Sequence, residues 1–146
     1  MSRASPFGNF RRSFRKNLWV PIRVRPGGFE IEDVLYEELT GRVIKVRLLR
    51  KRFEEGTLEC YSGDGVRSRE GVLCDECRHP ECRPQLRVHL ESGSTIFVFD
   101  LAHTAAMNLL TLEEDLRTKS RDLATTDLAL TVINRQWWGE VSFRIV

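Results

Sequence analysis

The period of the apolar residues changes twice along this 146-residue chain, from two to near 3.6 and back to two. Ile44, Val46 and Leu48 alternate with Lys45 and Arg47, and Leu86, Val88 and Leu90 alternate with Arg87 and His89. Successive side chains of a strand point to opposite faces, so this alternation predicts half-buried strands with a basic outer side. Thr57 to Ser62, entered through a Glu54-Glu55-Gly56 turn, reads as a further strand. Thr95 to Phe99 follows a tight Ser92-Gly93 turn and reads as another. Between about Thr104 and Ala124 the apolar positions are Ala105, Leu109, Leu112, Leu116 and Leu123, the spacing of one helix face. Leu128 to Ile133 and Trp138 to Val146 then read as strands about an Asn134-Arg135-Gln136 turn.

Before this pattern, Leu18 to Val24 reads as a short edge strand, because Pro21 cannot donate to a central ladder. Pro26-Gly27-Gly28 is a break, and acidic Phe29 to Leu39 fits a short helix or a turn-rich loop. The order of strands, one helix and two strands predicts a mainly β fold with one helix. The closest plan is an OB-like five- to six-stranded Greek-key barrel, with an α+β sandwich as the alternative. Residues 1–17 read as a flexible Arg-rich arm and 18–146 as one domain, with 60–84 as an inserted loop.

Hydrophobic residues make up 41% of the chain and charged residues 30%, so it has the means to bury a core. The formal net charge of +2 hides an asymmetry. Residues 1–29 hold seven basic residues and no acidic one, while the remainder holds 16 basic against 21 acidic, a balance of −5. Of the 23 basic residues 19 are arginine, whose planar fork grips phosphate and stacks on bases. An anionic partner is expected of such an arm, and a merely solubilising tail is the plainer alternative. No apolar run approaches the roughly 18 residues of a membrane span. No signal-peptide pattern follows the basic start, so a cytoplasmic location and no membrane partner are expected.

Cys60, Cys74, Cys77 and Cys82 are the four cysteines, separated by 13, 2 and 4 residues. A Cys-x-x-Cys pair lets one tight turn aim two sulfurs at one metal, and four thiolates close a tetrahedral structural zinc site. His79 can stand in for one thiolate; two disulfides or buried reduced thiols are the alternatives. His79-Pro80-Glu81 has the His-x-Glu of zinc deaminases, but its Cys-x-x-Cys precedes rather than follows it. With no nucleophile motif near His89 or His103, and no P-loop, neither an enzyme nor a small-molecule substrate is expected.

Single-strand binders join a positive groove to rings on which bases stack. Lys45, Arg47, Arg87 and Arg144 lie opposite apolar strand positions, and Arg135 stands beside Trp137 and Trp138. Neighbours on one strand face opposite ways, so at most one of the two tryptophans is expected in the core and one is expected to be exposed. Tyr61, Phe97 and Phe99 are further candidate stacking rings, although strand aromatics are more often core. Arg11, Arg12 and Arg15 of the arm would add unspecific phosphate contacts.

Cys60-Tyr61-Ser62-Gly63-Asp64-Gly65, Glu70 to Cys77, Cys82 leading into Leu86-Arg87-Val88, and Thr104 to Leu109 together form a larger pattern. It resembles a group of phage and mobile-element single-stranded-DNA-binding proteins with a Cys-x-Ser-x-Asp-Gly segment and a zinc knuckle. The resemblance spans roughly residues 57–112 and implies an OB-like barrel, structural zinc and a single-stranded nucleic-acid partner, most naturally DNA, read with little sequence specificity. The competing expectation is an assembly subunit that docks on a protein partner through its arm and exposed rings. The body's negative balance favours that alternative.

Overall fold

The computed structural model describes residues 19–54, 57–74 and 82–146. Among them are ten strands and one α-helix, so the chain is mainly β. The strands are β1 (Trp19–Pro21), β2 (Arg23–Arg25), β3 (Gly28–Ile31), β4 (Val34–Tyr36), β5 (Glu38–Glu54), β6 (Thr57–Ser62), β7 (Arg83–Ser92), β8 (Thr95–Leu101), β9 (Leu128–Asn134) and β10 (Gly139–Ile145). Helix α1 (His103–Thr118) lies between β8 and β9.

The 17-residue β5 organises the molecule. It pairs with β9 from Glu38 to Gly41, with β7 from Arg42 to Lys51, and with β6 from Arg50 onward, all antiparallel. Gly41 sits at the handover from β9 to β7, where a Cβ would collide with the Glu91 carbonyl oxygen. A side chain there would push the two ladders apart. Strand order in the main sheet is β1-β8-β7-β5-β9-β10, with β6 joined to β5. The sheets do not close into a barrel: β1 and β10 are the two ends of this path.

The core lies on one side of this sheet, where Val88, Leu90, Leu101, Leu128, Leu130 and Val141 pack with Ala105 and Leu109 of α1. Pro21 is tolerated as expected, because β1 is an edge strand; it runs parallel to β8. α1 stops at Thr118, earlier than its apolar period suggests. Ser120 turns into the left-handed region (φ 57°), and Asp122 accepts from the Ala124 amide to start a separate 3-10 turn, Leu123–Thr125. Short polar side chains that bond the local backbone end helices in this way.

Two expectations are corrected. Phe29 to Leu39 forms neither helix nor loop: β2, β3 and β4 make a small antiparallel sheet, and β5 has begun by Glu38. Glu32 and Asp33 both have positive φ (50° and 68°), as a two-residue hairpin turn requires. Phe29 is fully buried, its ring 6.0 Å from that of Phe99, so burial of one ring outweighs the acidic surroundings. The second correction concerns β5. A register shift falls between Val43 and Lys45, so Val43, opposite buried Leu90, and Val46, opposite buried Val88, share one face; Ile44, Val46 and Leu48 are nonetheless exposed rather than half-buried.

Candidate nucleic-acid interface

Residues directly opposite one another in an antiparallel pair share a face. Lys45 lies opposite His89, and Arg47 opposite Arg87. Beyond β7, His89 is opposite Val98 and Arg87 opposite Asp100. Three cations expected from sequence are therefore brought together on one face of β5 and β7. Among the described residues neither Lys45 nor Arg47 has an acidic partner.

Arg87 is held flat by Asp100, with Nε to Oδ1 at 2.8 Å and a second nitrogen to Oδ2 at 3.1 Å. Lys51 pairs with the same carboxylate. Burial alone would push the Asp100 carboxyl up, but hydrogen bonds from Arg87 and Lys51 and their charges hold it below the usual range. One anion thus faces four cations, Lys45, Arg47, Lys51 and Arg87, and the patch keeps a balance of +3.

Two residues absent from the sequence expectations complete this face. Trp19 of β1 reaches over His89, ring centroids 4.8 Å apart and planes at 78°, and is 51% exposed. His89 is itself buried; burial first, and the charges of Lys45, Arg47 and Arg87 after it, push its imidazole below the ordinary value. His89 was legible as a same-face neighbour of Arg87, two residues on. Trp19 was not, since parallel pairing to β8 spans about 75 residues of sequence. Tyr61, opposite Lys51 and half-buried, lies 5.5 Å beneath the Arg69 guanidinium.

The remaining candidates divide. Trp137 and Trp138 both lie in the β9–β10 turn, before β10 starts, and both are exposed, at 82% and 44%. The expected strand alternation does not apply to a turn, so neither ring enters the core. Arg135 anchors this turn rather than offering a free charge: it bonds Glu140 at 3.0 Å, and Asn108 of α1 donates to the other Glu140 oxygen at 2.9 Å. The Asn108 bond first, then Arg135, hold that carboxyl below its usual range. Arg144 pairs with Glu38 at 3.3 Å, at the N-terminal end of β5. Phe99 is a core residue and Phe97 packs against the core, so neither presents a stacking face. Arg11, Arg12 and Arg15 lie outside the described residues.

The cysteine loop is shaped by its polar residues. The Asp64 carboxylate accepts from the Val66 and Arg67 amides (2.8 and 3.1 Å), which, with the Ser62 hydroxyl, hold its pKa down. Ser62, buried, accepts from the Gly65 amide at 3.0 Å and donates to the Arg67 carbonyl at 2.8 Å. This doubled turn reverses the chain, so that Arg67 pairs with Leu73 and the Cys74 amide reaches the Val66 carbonyl at 2.8 Å. Cys60, Cys74 and Cys82 consequently border one cavity of about 330 Å³ together with Arg52, Ser68 and Glu70. No disulfide links Cys60 to Cys74. Among the described residues alone, no three donors stand close enough to hold a metal ion; Cys77 and His79 lie outside them.

Compared with protein-family models, with curated proteins and with solved structures, the chain matches none. Among the described residues no helix is long and apolar enough to cross a membrane.

Proposed function

We propose that this protein binds single-stranded nucleic acid, with DNA as the expected strand, through backbone electrostatics and base stacking. The observation that carries the reading is the shared face of Lys45, Arg47 and Arg87 with the exposed Trp19 ring packed on His89. Lys45 and Arg47, without acidic partners among the described residues, and an exposed indole on a rigid sheet are the two components of a sequence-tolerant binder.

The connectivity supports the same reading. With β1–β4 and β6 set aside as additions, the long strand β5, then β7 and β8, a helix and a final hairpin follow the OB order, here left open. In that fold the second and third strands and the loops after the first and fourth strands bind oligonucleotides. Their counterparts here are β7, β8, the cysteine loop and the Trp137–Trp138 turn.

Structural zinc is part of the proposal. Cys60, Cys74 and Cys82 converge on one cavity, and Cys77 would supply the fourth thiolate of a closed site that keeps the Asp64 turn in place. Metal analysis of the purified protein is expected to find one zinc per chain, and chelation to lower its melting temperature; a metal-free chain with unchanged melting would remove zinc from the proposal.

A second reading, an assembly subunit, is favoured by edge strand β4, whose Val34, Leu35 and Tyr36 are all exposed. Titration with labelled single-stranded and duplex oligonucleotides of one length, across a salt series, separates the two. Single-strand preference with tryptophan quenching is expected, and a chain lacking residues 1–17 should keep most of its affinity. Weak binding, equal for both forms and gone by moderate salt, would favour the subunit.

A further inference from the structure

Trp138 borders two clefts of about 520 and 500 Å³, both within the range of small-ligand sites. The first is also bordered by Arg25, Lys51, Asp100 and Trp137, the second by Arg83, Pro84 and His103. Gln85 and Ala102 border both, so the clefts are neighbours with a common floor. Asp100 and Lys51 belong to the ion-pair cluster of Arg87, so the first cleft continues the cation face.

We propose that the Trp138 indole is a wedge that seats between two consecutive bases of a bound single strand, one base in each cleft. The inference rests on the single-strand reading and adds to it a defined dinucleotide site. Three features support it. The ring is half exposed, as a stacking platform must be. Its turn is braced: the Arg135 amide donates to the Trp138 carbonyl at 2.8 Å, and the Arg135 side chain is fastened to Glu140. Cations stand on both sides, Arg25 (paired with Glu30) and Lys51 (paired with Asp100) by the first cleft and Arg83 by the second, where the phosphates flanking two splayed bases would pass. The Gln85 amide, an acceptor and a donor at the common floor, can meet either base edge.

The test uses oligonucleotides carrying two adjacent 2-aminopurines, moved stepwise along the strand. Stacked neighbours give a circular-dichroism couplet. Binding of the full chain is expected to collapse that couplet, whereas binding to Trp138→Ala leaves it intact. Trp138→Ala should bind about 10- to 100-fold more weakly, with Trp138→Phe recovering part of the loss. A couplet retained at every position on the full chain, or a loss below threefold in Trp138→Ala, overturns the wedge and leaves the cation face standing. Failure of the full chain to bind any single strand overturns both.

Discussion

The cation face and the tryptophan turn meet at Lys51 and Asp100, yet they are made differently. The face is a product of strand register: Lys45, Arg47, Arg87 and His89 are fixed by ladder pairing and surrounded by rigid backbone. The turn is four residues held by one amide–carbonyl bond and the Arg135–Glu140 pair, with its rings in solvent. The face offers mostly charge, with one exposed ring, Trp19; the turn offers two rings with its one arginine already engaged. A strand crossing both would be held by counterion release at one end and by stacking at the other, and only the first responds to salt.

Replacing Lys45 and Arg47 together by alanine is the largest effect expected of the cation face. Two lost phosphate contacts lower the slope of log affinity against log salt by about 1.4, equivalent to about 25-fold in affinity at 0.1 M salt. Titrations at several salt concentrations check this, and an unchanged slope would show that the face is not where phosphates lie. Trp137→Ala comes next. Its ring has a free face for one base, so a loss of about fivefold is expected with the salt slope unaltered. A changed slope would mean that the turn works through charge and would dissolve the distinction between the two regions.

The smallest effect concerns pH. His89 has its pKa lowered in the folded chain, so as pH falls below the ordinary histidine value the unfolded chain takes up a proton first. Its contribution to stability is complete above that value and declines below it. Urea midpoints should fall between pH 7.5 and 5.5, and less so in His89→Gln. A phosphate over the face favours the charged imidazole, so single-strand affinity should rise over the same interval and stay flat in His89→Gln.

The strands of β7 and β8, their Gly93 turn and the β9–β10 hairpin were legible because their pairing is local and their alternation regular. The phase of β5 was not. A bulge at Ile44 leaves no trace in an alternating sequence, yet it is what sets Val46 on the same face as Val43, opposite Val88 and Leu90. The β2–β4 sheet was hidden by its acidic residues, and its turn residues Glu32-Asp33 take positive φ without the Gly or Asn that marks a two-residue hairpin in a sequence. At the cysteine loop, spacing pointed to a common site; the Ser62 and Asp64 turn brings Cys60, Cys74 and Cys82 to the border of one cavity, and among the described residues no three donors stand close enough to hold a metal ion.

Sequence by itself determined the β-rich class, the one long helix among the described residues, and the alternation that keeps Lys45 with Arg47 and Arg87 with His89. All of these follow from side-chain period over short stretches of chain. Tertiary structure alone decided that Trp19 would cover His89, that Asp100 would join Lys51 to Arg87, and that both tryptophans of the β9–β10 turn would face solvent. Each depends on which distant strands become neighbours and in what register. That choice is made by burial of the whole core, and a local pattern does not contain it.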